Sequence, residues 1–167
     1  MNKNIFTISN TTRIAVMLLL IGGIGATSIL FNSAHAQTIT LGEPIFVEKG
    51  ADTVQREIGP NRTQFTYTSN GTMNGKIEYY KTGEFVSVTT GNNQTFDQGK
   101  GILTTKDGSE TANYTFIEVG NGTGYLGASV YNTNSTGKLS ILDNVLVVYK
   151  IGEDKSGNYA DKQWLWK

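Results

Sequence analysis

The sequence predicts an all-β protein, a closed antiparallel β-barrel of about eight strands, and three observations lead there. Beyond Gln37 no apolar pattern with a 3.6-residue period runs for a useful length; short segments of strand length recur instead. Thr, Tyr, Val, Ile and Phe dominate these segments, Gly and Asn punctuate them, and proline is confined there to positions 44 and 60. Two segments alternate cleanly, Phe65 and Tyr67 against Gln64, Thr66 and Thr68, and Tyr114 and Phe116 against Asn113 and Thr115. Strands this short and this numerous build either a barrel or a β-sandwich; a chain close to a meander favours closure, which removes exposed edges.

Residues 1–36 read as a segment apart. Lys3 and Arg13 make a weakly basic start, an apolar stretch runs from Ile14 to Phe31, and Ala34-His35-Ala36 places small residues in front of Gln37. The expectation is a cleaved signal peptide with a helical apolar stretch, then a single β-barrel domain at 37–167, secreted or held at the cell surface. A retained anchor is the alternative, since about 18 apolar residues can cross a bilayer as a helix. Glycines at 22, 23 and 25 weaken such a helix. Cleavage would take two bases and no acid from a chain with 14 Lys+Arg and 14 Asp+Glu, leaving a net charge of −2. That balance gives no electrostatic reason to bind nucleic acid or an acidic membrane surface.

Within the domain, strands are expected at 38–48, 54–58, 64–68, 75–81, 85–89, 101–105, 112–119, 125–131, 145–151 and 162–166. Asn70-Gly71 tolerates positive φ and reads as a tight hairpin turn, with Asp107-Gly108 and Ser156-Gly157-Asn158 as further turns. Leu139 and Leu142, three apart behind Ser135-Thr136-Gly137, predict one helical turn within 138–144. Residues 145–151 are apolar on both faces, as in a strand covered on both sides. Trp164-Leu165-Trp166 places both indoles on one face. They are expected to close the core against Tyr114 and Phe116, or else to form a stacking platform for sugar or lipid at the barrel mouth.

The only histidine, His35, lies in the signal segment, and cysteine is absent. The mature chain therefore lacks disulfides, thiolate or imidazole metal sites, and any Ser-His-Asp or Cys-His apparatus. No metal site and no cofactor are implied. Asp154 and Asn158, with Asp161 behind them, faintly resemble a calcium loop but lack its full ligand set and closing Glu, so a solvated turn is expected. Asp107 and Glu110 read as turn residues. Glu78 and Glu118 sit in strands beside aromatics and are the candidate cavity carboxylates, with Tyr114 and Phe116 as candidate ligand-binding residues; a facing pair of carboxyls could support acid–base chemistry.

Asn-x-Ser/Thr occurs after Gln37 at Asn61, Asn70, Asn93, Asn113, Asn121 and Asn134. Composition alone would give about two. Glycosylation requires exposure, which turns supply, and Asn113 would have to face outward, opposite Tyr114 and Phe116. Thr-rich strands meeting Asn-rich turns would produce the same pattern without modification.

Asn121-Gly-Thr-Gly-Tyr-Leu-Gly-Ala128, preceded by Gly120, resembles the Gly-Gly-Thr/Ser-Gly-x-Phe-x-x-Ala-x-Gly stretch of the allene oxide cyclase and dirigent barrels. Gly99-Lys-Gly-Ile-Leu-Thr-Thr-Lys-Asp-Gly108 followed by Tyr114 is similar to the hairpin before it. The resemblance implies an eight-stranded calycin-like barrel with a central apolar cavity, often in a homo-oligomer, and carries over no catalytic residue. The expected function is that of a secreted cell-envelope barrel, more a binding module than an enzyme, holding an apolar small molecule or an envelope protein partner. A cyclase- or isomerase-type enzyme and a structural surface or fibre subunit are the alternatives.

Overall fold

The computed structural model describes residues 41–92, 94–153 and 159–166. The expected signal peptide at 1–36 and the turn expected at Ser156-Gly157-Asn158 lie outside the described residues. Eight antiparallel strands follow one another as a meander: β1 Phe46–Gly59, β2 Arg62–Met73, β3 Ile77–Thr89, β4 Thr95–Thr105, β5 Thr111–Gly120, β6 Tyr125–Asn132, β7 Val145–Glu153 and β8 Tyr159–Leu165. Each pairs with the next, and β8 returns to β1 with Phe46 opposite Gln163, so the sheet closes. The barrel is the observed architecture, not the sandwich. One 3-10 turn, Ser140–Leu142, sits in the β6–β7 connection, inside the expected 138–144.

Several strands are longer than the sequence candidates, because polar residues occupy interior positions and interrupt the alternation. Positions 54–58 and the end of 38–48 belong to one strand, β1, and 75–81 joins 85–89 in β3. Asn70-Gly71 is not a turn. Both residues lie inside β2, with Gly71 opposite Glu48 on one side and Tyr79 on the other. A Cβ at Gly71 would stand 2.3 Å from the Val47 carbonyl oxygen, so glycine there serves a close approach of strands. The β2–β3 turn comes four residues later at Asn74-Gly75, whose φ values of 52° and 66° suit Asn and Gly. Asp107-Gly108 does form a turn, with Gly108 at φ 72°.

The glycines of the β4–β6 region have a packing role. Gly99 faces Phe116 across the β4–β5 ladder, Gly101 faces Tyr114, and Gly127 faces Tyr149 across β6–β7. In each case an added Cβ would fall within 2.6 Å of the partner's ring. Each aromatic side chain therefore lies flat over a cross-strand glycine, which frees interior volume that a Cβ would fill.

The two ends of the barrel differ. At one end the β6–β7 connection folds inward and buries Leu139 and Leu142 completely beside Phe46, Met73, Leu103 and Val147. Glu110, in the β4–β5 connection, anchors this plug: its carboxylate accepts the Lys138 N–H at 2.9 Å, the Leu139 N–H at 2.8 Å and the Ser135 hydroxyl. The Ser135 bond first, then the two amides, hold Glu110 below the usual carboxylate range. Asp107, read as a turn residue, also pairs with Lys138 at 2.5 Å. The connections β1–β2, β3–β4 and β5–β6 gather at the other end, where no such plug lies among the described residues.

The tryptophans take the opposite face from the one expected. On β8 the inward positions are Asp161, Gln163 and Leu165, while Trp164 points outward and donates its Nε1–H to the Gly42 carbonyl at 2.8 Å. Trp166 is 46% exposed. Neither packs against Tyr114 or Phe116, because the side facing the interior is the more polar of the two.

Candidate ligand-binding cavity

Above the plug the barrel is hollow. A cavity of about 520 Å³ is lined from all eight strands and reaches Thr63, Thr89, Thr95 and Tyr125 near the unplugged end. Its floor is an ion pair. Lys81, only 2% exposed, places Nζ 2.7 Å from Glu48 Oε2, with the rings of Phe46, Tyr79, Tyr114 and Tyr131 centred 5.0–5.6 Å from the ammonium. The Tyr79 hydroxyl donates to the same carboxylate at 2.6 Å, and Gln163 Nε2 donates to its other oxygen at 3.2 Å. Burial works against the Lys81 charge, but the Glu48 carboxylate beside it prevails and raises the amine above its ordinary range. Gln163 also bridges Asp161 at 2.5 Å. Burial, then the Glu48 charge, pushes the Asp161 carboxyl well above the usual range.

Two different walls rise from this floor. One is aromatic: Phe65 and Phe85 stack at 4.9 Å and 14° across β2–β3, and Tyr67 and Phe116 close on Phe85 at 6.0 and 6.1 Å. The Tyr67 and Tyr114 hydroxyls meet at 2.5 Å. The other is acidic. Glu118 on β5 stands opposite Asp97 on β4 and accepts the Tyr149 hydroxyl at 2.9 Å. Burial first, and the Asp97 charge after it, raise Glu118 to about 8 against the hydrogen bond from Tyr149, so this carboxyl is mostly protonated at neutral pH. Burial raises Asp97 as well, although hydrogen bonds with Ser87 and Glu118 favour its charged form. Among the described residues, Asp97 Oδ1 and Asp161 Oδ1 have no hydrogen-bond partner.

Of the candidate residues read from the sequence, Glu118, Tyr114 and Phe116 come together on the inner face of β5 and line the cavity. Glu78 does not join them. It lies on the outer face of β3, exposed, in an ion pair with Lys106 at 2.9 Å, because even-numbered positions of β3 point away from the interior. The facing carboxyl partner of Glu118 is Asp97. Asp161, read as part of a solvated turn, is instead an inward residue of β8. Glu48, Lys81 and Asp97 were not singled out by sequence; the parity of β3 relative to Tyr79 would have placed Lys81 inside. Asn61, Asn70, Asn113, Asn121 and Asn134 are all exposed, and Asn93 lies outside the described residues. No group of three or more acids able to hold a metal ion occurs among the described residues.

The barrel is similar to two crystal structures of proteins of unknown function. One, from Rhodopseudomonas palustris, superposes with a TM-score of 0.60 at 13% identity, over 77% of this chain and 99% of that one. The other, from Clostridium acetobutylicum, gives 0.59 at 12% identity over 75% and 98%. At these identities the likeness is one of fold. No family model matches the chain, and no curated protein matches it.

Proposed function

We propose that this is an exported cell-envelope barrel that holds a small molecule with an apolar face in its unplugged cavity. The observation that carries the reading is the cavity itself: about 520 Å³ of unfilled interior, within the range of small-molecule sites, plugged at one end and with no plug at the other among the described residues. A structural or fibre subunit has no need of such a space. The apolar stretch before Ala34-His35-Ala36 supports export, and the exposure of five Asn-x-Ser/Thr sites supports glycosylation. A second component of the proposal is self-association or docking on an envelope protein. Phe96, Val119 and Leu126 lie in register across the outside of β4, β5 and β6, with Ile117 and Val130 beside them, all at least 40% exposed.

A cyclase- or isomerase-type activity, in keeping with the resemblance to the allene oxide cyclase and dirigent barrels, is the second reading. It is supported by Glu118, a protonated carboxyl beside Asp97 on the cavity wall, suited to act as a general acid. Mass spectrometry of protein from its native source tests the first reading. Under denaturing conditions the chain should begin at Gln37 and carry glycans. Under native conditions it should be heavier by a small molecule, as a monomer or a multimer. A membrane-bound chain beginning at Met1, with equal native and denatured protomer masses, would contradict it.

A further inference from the structure

We infer that the cavity selects an organic cation, a protonated amine seated at Asp97 and Glu118 with its apolar body against Phe65, Phe85 and Phe116. The inference rests on the cavity-binding reading above and names the ligand class. Asp97 is 2% exposed, lines the cavity, and leaves Oδ1 without a hydrogen-bond partner. An orphaned buried carboxylate oxygen is costly, and such groups mark places where a partner is missing. Thr95 Oγ1, two residues away on the same inner face, is also buried without a partner. A carboxylate oxygen and a hydroxyl on one face of β4 thus lack partners, and a ligand N–H could satisfy the first.

The charges point the same way. Lys81 is the basic residue among those lining the cavity, and Glu48 already engages it at 2.7 Å. Among the described residues, no ion pair engages Asp97 or Glu118. An anionic ligand would meet Asp97 directly, and a neutral hydroxyl would satisfy one oxygen while leaving the charge unbalanced. An ammonium supplies three donors and a positive charge together. Next to the acids, Phe85 and Phe116 occupy positions two residues removed on neighbouring inner faces, Phe85 opposite Gly99 and Phe116 on the strand of Glu118. Aromatic faces accept both the apolar body and the edge of a cation.

The test compares matched probes by calorimetry on the purified protein: benzylamine and tryptamine, their alcohol counterparts benzyl alcohol and tryptophol, and the carboxylates phenylacetate and indole-3-acetate. The amines should bind about tenfold or more tighter than the alcohols, with the carboxylates weakest. Asp97→Asn should erase the amine preference in a protein that still unfolds cooperatively in urea, since it removes the charge and keeps the shape of the side chain. Alcohols binding as tightly as amines would overturn the cation inference and leave the cavity reading standing. Equal amine affinity in wild type and Asp97→Asn would do the same. Absence of saturable binding for amines and alcohols alike would remove both.

Discussion

Lys81→Met should destabilise the barrel by about 3–5 kcal/mol, the cost of leaving a buried charge without its partner. The substitution conserves much of the side-chain volume, so packing against Phe46, Tyr79, Tyr114 and Tyr131 is largely kept and the electrostatic loss dominates. Glu48, 8% exposed, then keeps the Tyr79 hydroxyl and the Gln163 amide as donors but loses its cation. Asp161 lies within reach of the same charge and would be pushed up further once Lys81 no longer opposes Glu48. Adding Glu48→Gln should restore a large part of the loss, because the double variant has neither charge to bury. Urea unfolding of the three variants measures this. A single-variant loss under about 1 kcal/mol would mean that Glu48 is solvated from the cavity and the ion pair is not a structural element.

The second large effect is a stability that falls as pH rises. Glu118 titrates from an ordinary 4.5 when unfolded to about 8 in the barrel, raised mainly by burial. Between these values the folded state keeps a proton that the unfolded chain has released. Its contribution is therefore fully present below pH 4.5, lost progressively as pH rises, and gone by about 8. The loss from this one group is on the order of a few kcal/mol. Burial raises Asp97 and Asp161 in the same sense. Asp107 and Glu110 act oppositely: hydrogen bonds, led by Lys138 and Ser135 respectively, lower both, so their contribution disappears as pH falls through the acid range. Thermal midpoints should peak at mildly acidic pH and decline toward pH 8, and Glu118→Gln should flatten the alkaline limb. A wild-type midpoint that rises from pH 5 to 8 would show that Glu118 is ionised in the folded barrel.

The barrel was legible because strand alternation survives where interior residues are apolar, as in Tyr114 and Phe116, and because the meander leaves short connections. It was least legible where the interior turns polar. Lys81, Glu48, Asp97 and Asp161 all face inward. A reading that places charge outside breaks β3 at Lys81, leaves Asp97 between strand candidates and assigns Asp161 to a turn. The tryptophans show the same inversion: Trp164 lies on the outer face of β8, while the inner face carries Asp161 and Gln163. Half of the candidate site was visible, with Glu118, Tyr114 and Phe116 on the cavity wall. Its carboxyl partner was not, since a register that pairs Glu118 with Asp97 exists only once β4 extends to Thr95. The glycines were visible as residues but not as beds for aromatic rings, a relation between strands that one strand cannot display.

The hollow interior is most directly tested by titrating the protein with Nile red, a neutral fluorescent dye, in wild type and in Ser87→Trp. Ser87 lines the cavity on β3 beside Asp97. An indole there occupies cavity space, although it gives up the Ser87 hydrogen bond to Asp97. The wild type should bind the dye saturably with blue-shifted emission, and Ser87→Trp should lose that binding while still unfolding cooperatively in urea. No saturable binding to folded wild type, or undiminished binding to Ser87→Trp, would contradict a ligand-sized cavity at this place.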